Sequence, residues 1–296
     1  MQILRSVGVH DGSFHADEVA ACALLIIFGL VDEDKIVRTR DPEKLACCEY
    51  VCDVGGVYSP EKKRFDHHQS SYSGEWSSAG MILHYLQTIG KIGVEEYAFL
   101  NNQLIHGVDE QDNGRCFSPE GFCSFSDIIK IYSPHEESGN DGFFEEAFKK
   151  ALFFTKDLIL CLRDRFSYNQ KCRQEVAEAM EKSAGIFMEF KGPIAWLDNF
   201  FALGGERHSA AFLIFPSSGQ WILRGVPPSL DRRMEVRVPF PDPWAGLLGD
   251  QLCEVSGIDG GIFCHKGLFL SVWKDRESCL KALNATLRYR GIKEIV

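Results

Sequence analysis

Three features of this sequence predict an α/β protein built in parts. Short β-branched runs alternate with helical stretches through the first hundred or so residues, a proline-free helical pattern covers 141–184, and a strand-richer region follows Gly185. Strands that alternate with helices favour a parallel sheet, so the first part is expected to be an α/β domain and the last an α+β domain. A chain of 296 residues has the length of about two domains. It can bury about three quarters of its unfolded surface without help from a disulfide or a partner.

The elements come in order. Residues 3–9 (ILRSVGV) read as a strand, 19–30 as a buried helix, and 36–40 (IVRTR) and 49–54 (EYVCDV) as two further strands bounded by Asp, Gly or Pro. Helices are expected over 77–90 and 94–106. The stretch 141–184 opens on Asp141, Glu145 and Glu146 and closes on Lys182, the charge order that suits a helix dipole. At about 1.5 Å per residue it would reach roughly 60 Å. The predicted division is therefore a first domain over 1–140, a helical connector over 141–185 and a smaller domain over 186–296. Within the last, strands are expected at 186–190, 194–198, 210–216, 220–226 and 268–273, with helices at 245–255 and 275–288.

Composition narrows the function. Hydrophobic residues make up 45% and charged residues 25%, the balance of an ordinary globular chain, which excludes disorder and collagen-like repetition. The longest apolar run, 19–30, is too short to cross a bilayer, so no membrane partner is expected. The N-terminus carries no basic stretch followed by an apolar one, and no secretory signal is expected. Eleven scattered cysteines without a CxxC pair read as reduced thiols, which points to the cytoplasm. The net charge of −10 is unevenly placed: residues 1–140 hold 11 basic and 22 acidic side chains, the remainder 21 and 20. An acidic half does not grip duplex nucleic acid by neutralising phosphates. It can hold divalent cations, which reverse the local sign.

Four segments carry that chemistry. The loop HDGSFHADE offers His10, His15 and Asp17 in the turn after the first strand, the edge where open α/β sheets bind ligands. Asp53 ends a strand before Gly55-Gly56. RFDHHQ holds Asp66, His67 and His68 in succession. Neighbours on an extended chain face opposite ways, so one histidine is expected to ligate metal while the other faces substrate. VDEQDNG holds Asp109 and Asp112, three apart and so on one face of a helical turn. Imidazole mixed with carboxylate favours Mn²⁺, Fe²⁺ or Zn²⁺ over an ion that wants only oxygen. The pool exceeds the needs of one ion and suits two that share a bridging carboxylate, the arrangement that promotes phosphate-ester hydrolysis.

The ordered set of HDGSFHADE, the Asp of DVGG, DHH and VDEQDNG resembles the DHH phosphoesterase superfamily and, within it, the melanocyte-proliferating-gene (MYG) family of metal-dependent hydrolases. FPDPWAGLLGDQL (240–252) and SGIDGGIFCHKGLFL (256–270) resemble that family's C-terminal signatures. The resemblance implies a phosphodiesterase, a 3′–5′ exonuclease on single-stranded RNA or oligonucleotides, with its site in a cleft between the domains. It implies that His10, His15 and Asp53 hold one ion and that Asp17, Asp53, His67 and Asp109 hold a second, with Asp53 as the bridge. His15 stands where the superfamily's DxD motif has its first Asp, which moves the preference from Mg²⁺ toward Mn²⁺. The resemblance also implies His68 beside the scissile phosphate, Asp66 orienting a histidine, and a substrate-binding second domain. There Gly204-Gly205-Glu206-Arg207-His208 departs at Glu206-Arg207 from the superfamily's GG-His motif. Arg207, His208, His265 and Lys266 are the candidates for substrate phosphates, and Trp244 and Trp273 are candidates for stacking a base. Two other readings fit the same metal set: hydrolysis of a small phosphorylated molecule such as pyrophosphate or a cyclic dinucleotide, and a metal-binding regulator without turnover.

Overall fold

A computed structural model describes residues 2–134, 141–183 and 185–293. The chain divides into two compact units, Met1–Phe166 and Ser167–Val296. Residue 140, the predicted end of the first domain, and Ala184, the predicted end of the long helix, lie outside the described residues.

The first unit is an α/β layer structure. Its strands are β1 (Ile3–Val9), β2 (Ile36–Arg38), β3 (Cys48–Cys52), β4 (Tyr58–Ser59) and β5 (Arg64–Phe65), in the spatial order β2-β1-β3-β5-β4. The β1–β2, β1–β3 and β3–β5 pairs are parallel, and only β4 runs antiparallel, against β5. The expected parallel sheet is therefore present, with one reversed edge strand. Helix α1 (Ala16–Ile27) is buried along most of its length, as the Ala/Leu-rich run requires. It is followed by α2 (Pro42–Cys47), opened by the Asp41 carboxylate on the Glu43 amide, and by α3 (Ser78–Thr88). The single helix expected over 94–106 is α4 (Val94–Leu100), a π-helical turn over Asn101–Ile105 and α5 (His106–Asp112). Single π turns recur at functional sites, and this one leads directly into the VDEQDNG segment. A short α6 (Phe125–Tyr132) completes the set before α7 (Asp141–Lys182), within which the division between the units falls. Val7, Val9, Leu24, Phe65 and Met81 form the core between sheet and helices.

The second unit is α+β. Strands β6 (Phe187–Glu189), β7 (Phe212–Ser217), β8 (Gln220–Gly225), β9 (Gly261–Cys264) and β10 (Leu270–Trp273) lie in the order β6-β7-β8-β10-β9, antiparallel except for β6–β7. Helices α8 (Leu197–Ala202), α9 (Gly249–Ser256) and α10 (Arg276–Tyr289) accompany them. The strand expected at 194–198 does not form. Trp196 and Phe200 stand four residues apart, a helical spacing, and their rings meet at 6.2 Å, so burial of that pair selects α8. Trp244 and Trp273, candidates for base stacking, are 3% and 0% exposed and pack against one another in the core of this unit. All eleven cysteines are free thiols. Among the described residues no helix is long and apolar enough to cross a membrane.

One junction in the first unit fixes the start of α3 and two of the acids around it. The amide groups at the start of α3 lack intrahelical partners, and two buried carboxylates from elsewhere in the chain accept them. Asp17 takes Ser78 N at 2.9 Å and Ala79 N at 2.5 Å, while Asp109 takes Ser77 N at 2.9 Å and Gly80 N at 3.2 Å. Anions are also favoured there by the helix dipole. The close approach depends on Gly80, where a Cβ would lie 2.3 Å from Asp109 Oδ2. Gly80→Ala is therefore expected to destabilise the protein by about 1–3 kcal/mol through overpacking. The drop should appear as a lower urea midpoint at unchanged slope.

Candidate metal centre

The sheet topology brings the predicted ligands to one place. His10 follows β1, Asp53 follows β3, and Asp66, His67 and His68 follow β5, all at the C-terminal ends of parallel strands. Asp17 and Glu18 open α1, and Asp112 closes α5. The loop between β1 and α1 is held from beneath by Arg38. Its side chain is 1% exposed, its guanidinium sits 4.7 Å from the Phe148 ring centroid, and Nη2 donates to Gly12 O at 2.6 Å. Asp53 leaves the strand with φ +58, a left-handed conformation that aspartate tolerates better than most side chains. Its amide donates to Phe65 O at 3.0 Å, so the turn is pinned to β5.

The side chains converge in three overlapping groups able to hold a cation: His10, His15, Glu18 and Asp53; Asp53, His67 and His68; and Asp17, His67 and Asp112. Asp53 joins the first two, and His67 joins the last two. His10 Nε2 lies 3.0 Å from Glu18 Oε1 and 3.4 Å from Asp53 Oδ2. His67 Nε2 lies 3.0 Å from Asp112 Oδ2, 3.6 Å from Asp53 Oδ1 and 3.7 Å from Asp17 Oδ2. Asp53 Oδ1 and His67 Nε2 are buried without a hydrogen-bond partner. Buried polar atoms are normally satisfied, so an unpartnered Asp53 Oδ1 beside a His67 Nε2 whose 3.0 Å approach to Asp112 is poorly aligned is an opening for a cation.

The electrostatics agree. Burial opposes a charged imidazole at His10, but hydrogen bonds to Asp53 and Glu18 outweigh it and hold its pKa up to about 10. His67 is likewise opposed by burial and raised to about 11 by Asp112 and Asp53. Asp53 itself, despite burial, is held down to about 2 by His10 and His67. Asp17 is pushed well above the usual carboxylate range, first by burial and then by the charges of Asp53 and Asp112. Imidazolium protons here stand where a cation would serve, since metal ligation requires the neutral ring and the ionised carboxylate. The donor set of imidazole and carboxylate fits Mn²⁺, Fe²⁺ or Zn²⁺.

Several residues fall outside the expected pattern. Asp109, expected as a ligand, spends its Oδ1 on Ser77 and Gly80 at the start of α3 and is absent from the three groups. Burial lifts its pKa to about 6, against the pull of Ser77. Asp112, one turn further along α5, is the one that reaches His67. Glu18 was not among the expected ligands; its carboxylate accepts the His15 amide at 3.0 Å as a helix N-terminal cap and meets His10 from the same position. The residue pattern His15-x-x-Glu18 carried that capping signal. His67 and His68 differ in exposure, the His68 side chain being 64% exposed, but they do not turn apart as expected of neighbours on an extended chain: their ring centroids lie 4.3 Å from one another, and both approach Asp53 Oδ1, at 3.6 and 3.4 Å. Asp66 accepts from His68 Nδ1 at 2.8 Å and from Gly56 N at 2.6 Å.

The cluster opens into a cavity of about 710 Å³, lined among others by His10, His15, Asp53, His68 and Asp112. A larger cavity of about 830 Å³ lies within the second unit beside Phe187 and Trp221 and contains none of the expected site residues. In that unit His208 is spent on the fold, with Nε2 on Met180 O at 3.1 Å and Nδ1 accepting from Ala210 N at 3.1 Å. His265 Nδ1 accepts from Gly267 N, and its ring lies 4.3 Å from that of Phe269. Arg207 and Lys266 are exposed.

Fold and site together define an α/β protein with a candidate dinuclear metal centre at the C-terminal edge of a mainly parallel sheet. A family model for the MYG1 exonucleases, described as "Uncharacterised protein family (UPF0160)", matches residues 6–287, and the chain belongs to that family. The chain is 67% identical to the MYG1 protein of Chlamydia pneumoniae over 99% of its own length and 100% of that protein. It is 32% identical to the human (Homo sapiens) MYG1 exonuclease, over 96% of this chain and 86% of the human protein. The Mn²⁺ complex of RecJ from Thermus thermophilus is 12% identical, with a TM-score of 0.29 over 98% of this chain; the chain spans 53% of RecJ, a likeness too slight to bear on the site.

The two aspartates of VDEQDNG can be told apart. Asp112→Ala is expected to weaken Mn²⁺ binding by at least the roughly 10–100-fold that loss of an outer-shell partner costs, with stability little changed. Asp109→Ala is expected to lower the unfolding midpoint instead, because it strips acceptors from buried amides. Isothermal titration and urea denaturation of the two variants give the comparison; equal metal affinity in wild type and Asp112→Ala would refute the assignment.

Proposed function

We propose that this chain is a metal-dependent phosphodiesterase that shortens single-stranded polynucleotides by two-ion hydrolysis, with the 3′-to-5′ polarity that the family resemblance implies. One observation carries the reading: Asp53 is shared by two ligand groups, and its Oδ1 is buried without a hydrogen-bond partner 3.6 Å from His67 Nε2. His10, His15 and Asp53 would hold one ion; Asp17, Asp53, His67 and Asp112 would hold the other. When bound, two such cations polarise water and offset negative charge on a phosphate under attack.

The protein's own groups supply the rest. Asp66 accepts the Nδ1 proton of His68, which leaves Nε2 of an exposed ring as the atom presented to a phosphate oxygen. The Gly56 amide and the His68 amide both donate to Asp66, so the orienting carboxylate is itself fixed. Asp11 O meets His10 Nδ1 at 3.1 Å, which leaves Nε2 as the edge that faces Glu18 and Asp53. An acidic surface is compatible with this task, because an exonuclease grips few nucleotides at a time.

End-labelled single-stranded RNA and DNA oligomers, incubated with Mn²⁺ and wild type or Asp53→Ala, test the proposal. Stepwise loss of nucleotides from one end is expected for wild type and none for the variant. Intact oligomers beside demonstrated binding of two ions would overturn it and direct attention to small phosphate esters.

A further inference from the structure

The metal-side cavity continues past its histidines. Arg40, Val54 and Gly55 line it and also line a neighbouring groove of about 540 Å³, so the two spaces adjoin. The floor of that groove is apolar, with Leu45 and Val51 buried beneath it and Val57 45% exposed to it. Arg40, Lys62 and Arg64 stand around it. In a stretch of 140 residues with 11 basic against 22 acidic side chains, three cations around one apolar floor reverse the local sign.

Arg40 and Lys62 are available to an anion, and Arg64 adds positive charge beside them from a fixed position. The Arg64 guanidinium donates to main-chain carbonyls, those of Glu49 and Lys63 among them, so its contacts there leave its positive charge in place. Lys62 is exposed. Arg40 meets Asp11 at 3.3 Å with both side chains more than half exposed, a pair of the kind that contributes little and is readily exchanged. An apolar floor suits a nucleoside, which has apolar surface to place on it, better than pyrophosphate, which has none.

We infer that this groove receives the nucleotide unit flanking the scissile phosphate of a single-stranded polynucleotide, with base and sugar on the apolar floor and phosphates against Arg40, Lys62 and Arg64. The inference rests on the phosphodiesterase reading above and gives its substrate a track across the first unit.

The test is binding without turnover: anisotropy of a fluorescein-labelled phosphorothioate pentanucleotide titrated with Mn²⁺-loaded protein over a range of salt. The Arg40→Gln/Lys62→Gln protein is expected to bind about tenfold or more weakly, with the salt slope reduced by about 0.7 per lost phosphate contact. Val57→Glu, which sets a carboxylate on the exposed floor, is expected to weaken binding as well. Lys149→Gln/Lys150→Gln changes net charge equally outside the groove and is expected to bind as wild type does. Unchanged affinity and slope in the Arg40/Lys62 protein, an equal loss in the Lys149/Lys150 protein, or failure of wild type to bind would each overturn the inference. Hydrolysis of bis(p-nitrophenyl) phosphate by the same wild-type preparation separates the two readings. Intact turnover beside unchanged variant binding overturns the groove alone, and absent turnover overturns the phosphodiesterase and the groove with it.

Discussion

Five carboxylates buried to 4% exposure or less, those of Asp17, Glu18, Asp53, Asp66 and Asp109, set the conditions under which the first unit folds. Burying an ionised carboxylate is costly unless it is paired and hydrogen-bonded. The structure meets that cost locally. The first amides of α3 take Asp17 and Asp109, the His15 amide takes Glu18, and the Gly56 and His68 amides take Asp66. Asp53 is the exception. It sits at the centre, with His10 and His67 on either side and one oxygen unpartnered. The fold thus satisfies the acids at the margin and leaves one oxygen of the shared one open.

That division also separates acids that cap a helix from acids that face the histidines. Asp109 and Asp112 are neighbours on one helix, yet the first closes the start of α3 and the second faces His67 across the cavity. Asp17 does both, because its two oxygens cap α3 while Oδ2 also looks toward His67 at 3.7 Å. A substitution at Asp17 therefore mixes loss of fold with loss of site, whereas Asp112 lends itself to a clean separation.

Much of this was legible in the sequence, because parallel strands deliver their C-terminal ends to one edge and motifs at those ends must meet. The order of HDGSFHADE, DVGG, DHH and VDEQDNG placed His10, His15, Asp17, Asp53 and His67 together before any coordinates. What could not be read was which group a given acid would meet in space. A spacing of three places Asp109 and Asp112 on one face, but the choice between them depends on where Ser77 and Gly80 bring the start of α3. Glu18, in the HDGSFHADE loop, was not singled out, because its place beside His10 depends on how α1 begins. In the second unit the main chain takes up the His208 ring, and Trp244 and Trp273 lie in the core, where such side chains most often sit. The strand expected at 194–198 gave way because ring packing at a helical spacing outweighed local β propensity.

The central claim is that Asp53 is shared by two ions in one site. Electron paramagnetic resonance of the fully Mn²⁺-loaded protein tests it most directly, because two manganese ions about 3.5–4 Å apart couple magnetically and isolated ions do not. A broad coupled-pair spectrum is expected in wild type, collapsing to a mononuclear six-line signal in Asp53→Ala. A six-line signal from the wild-type protein at saturating Mn²⁺ would contradict it.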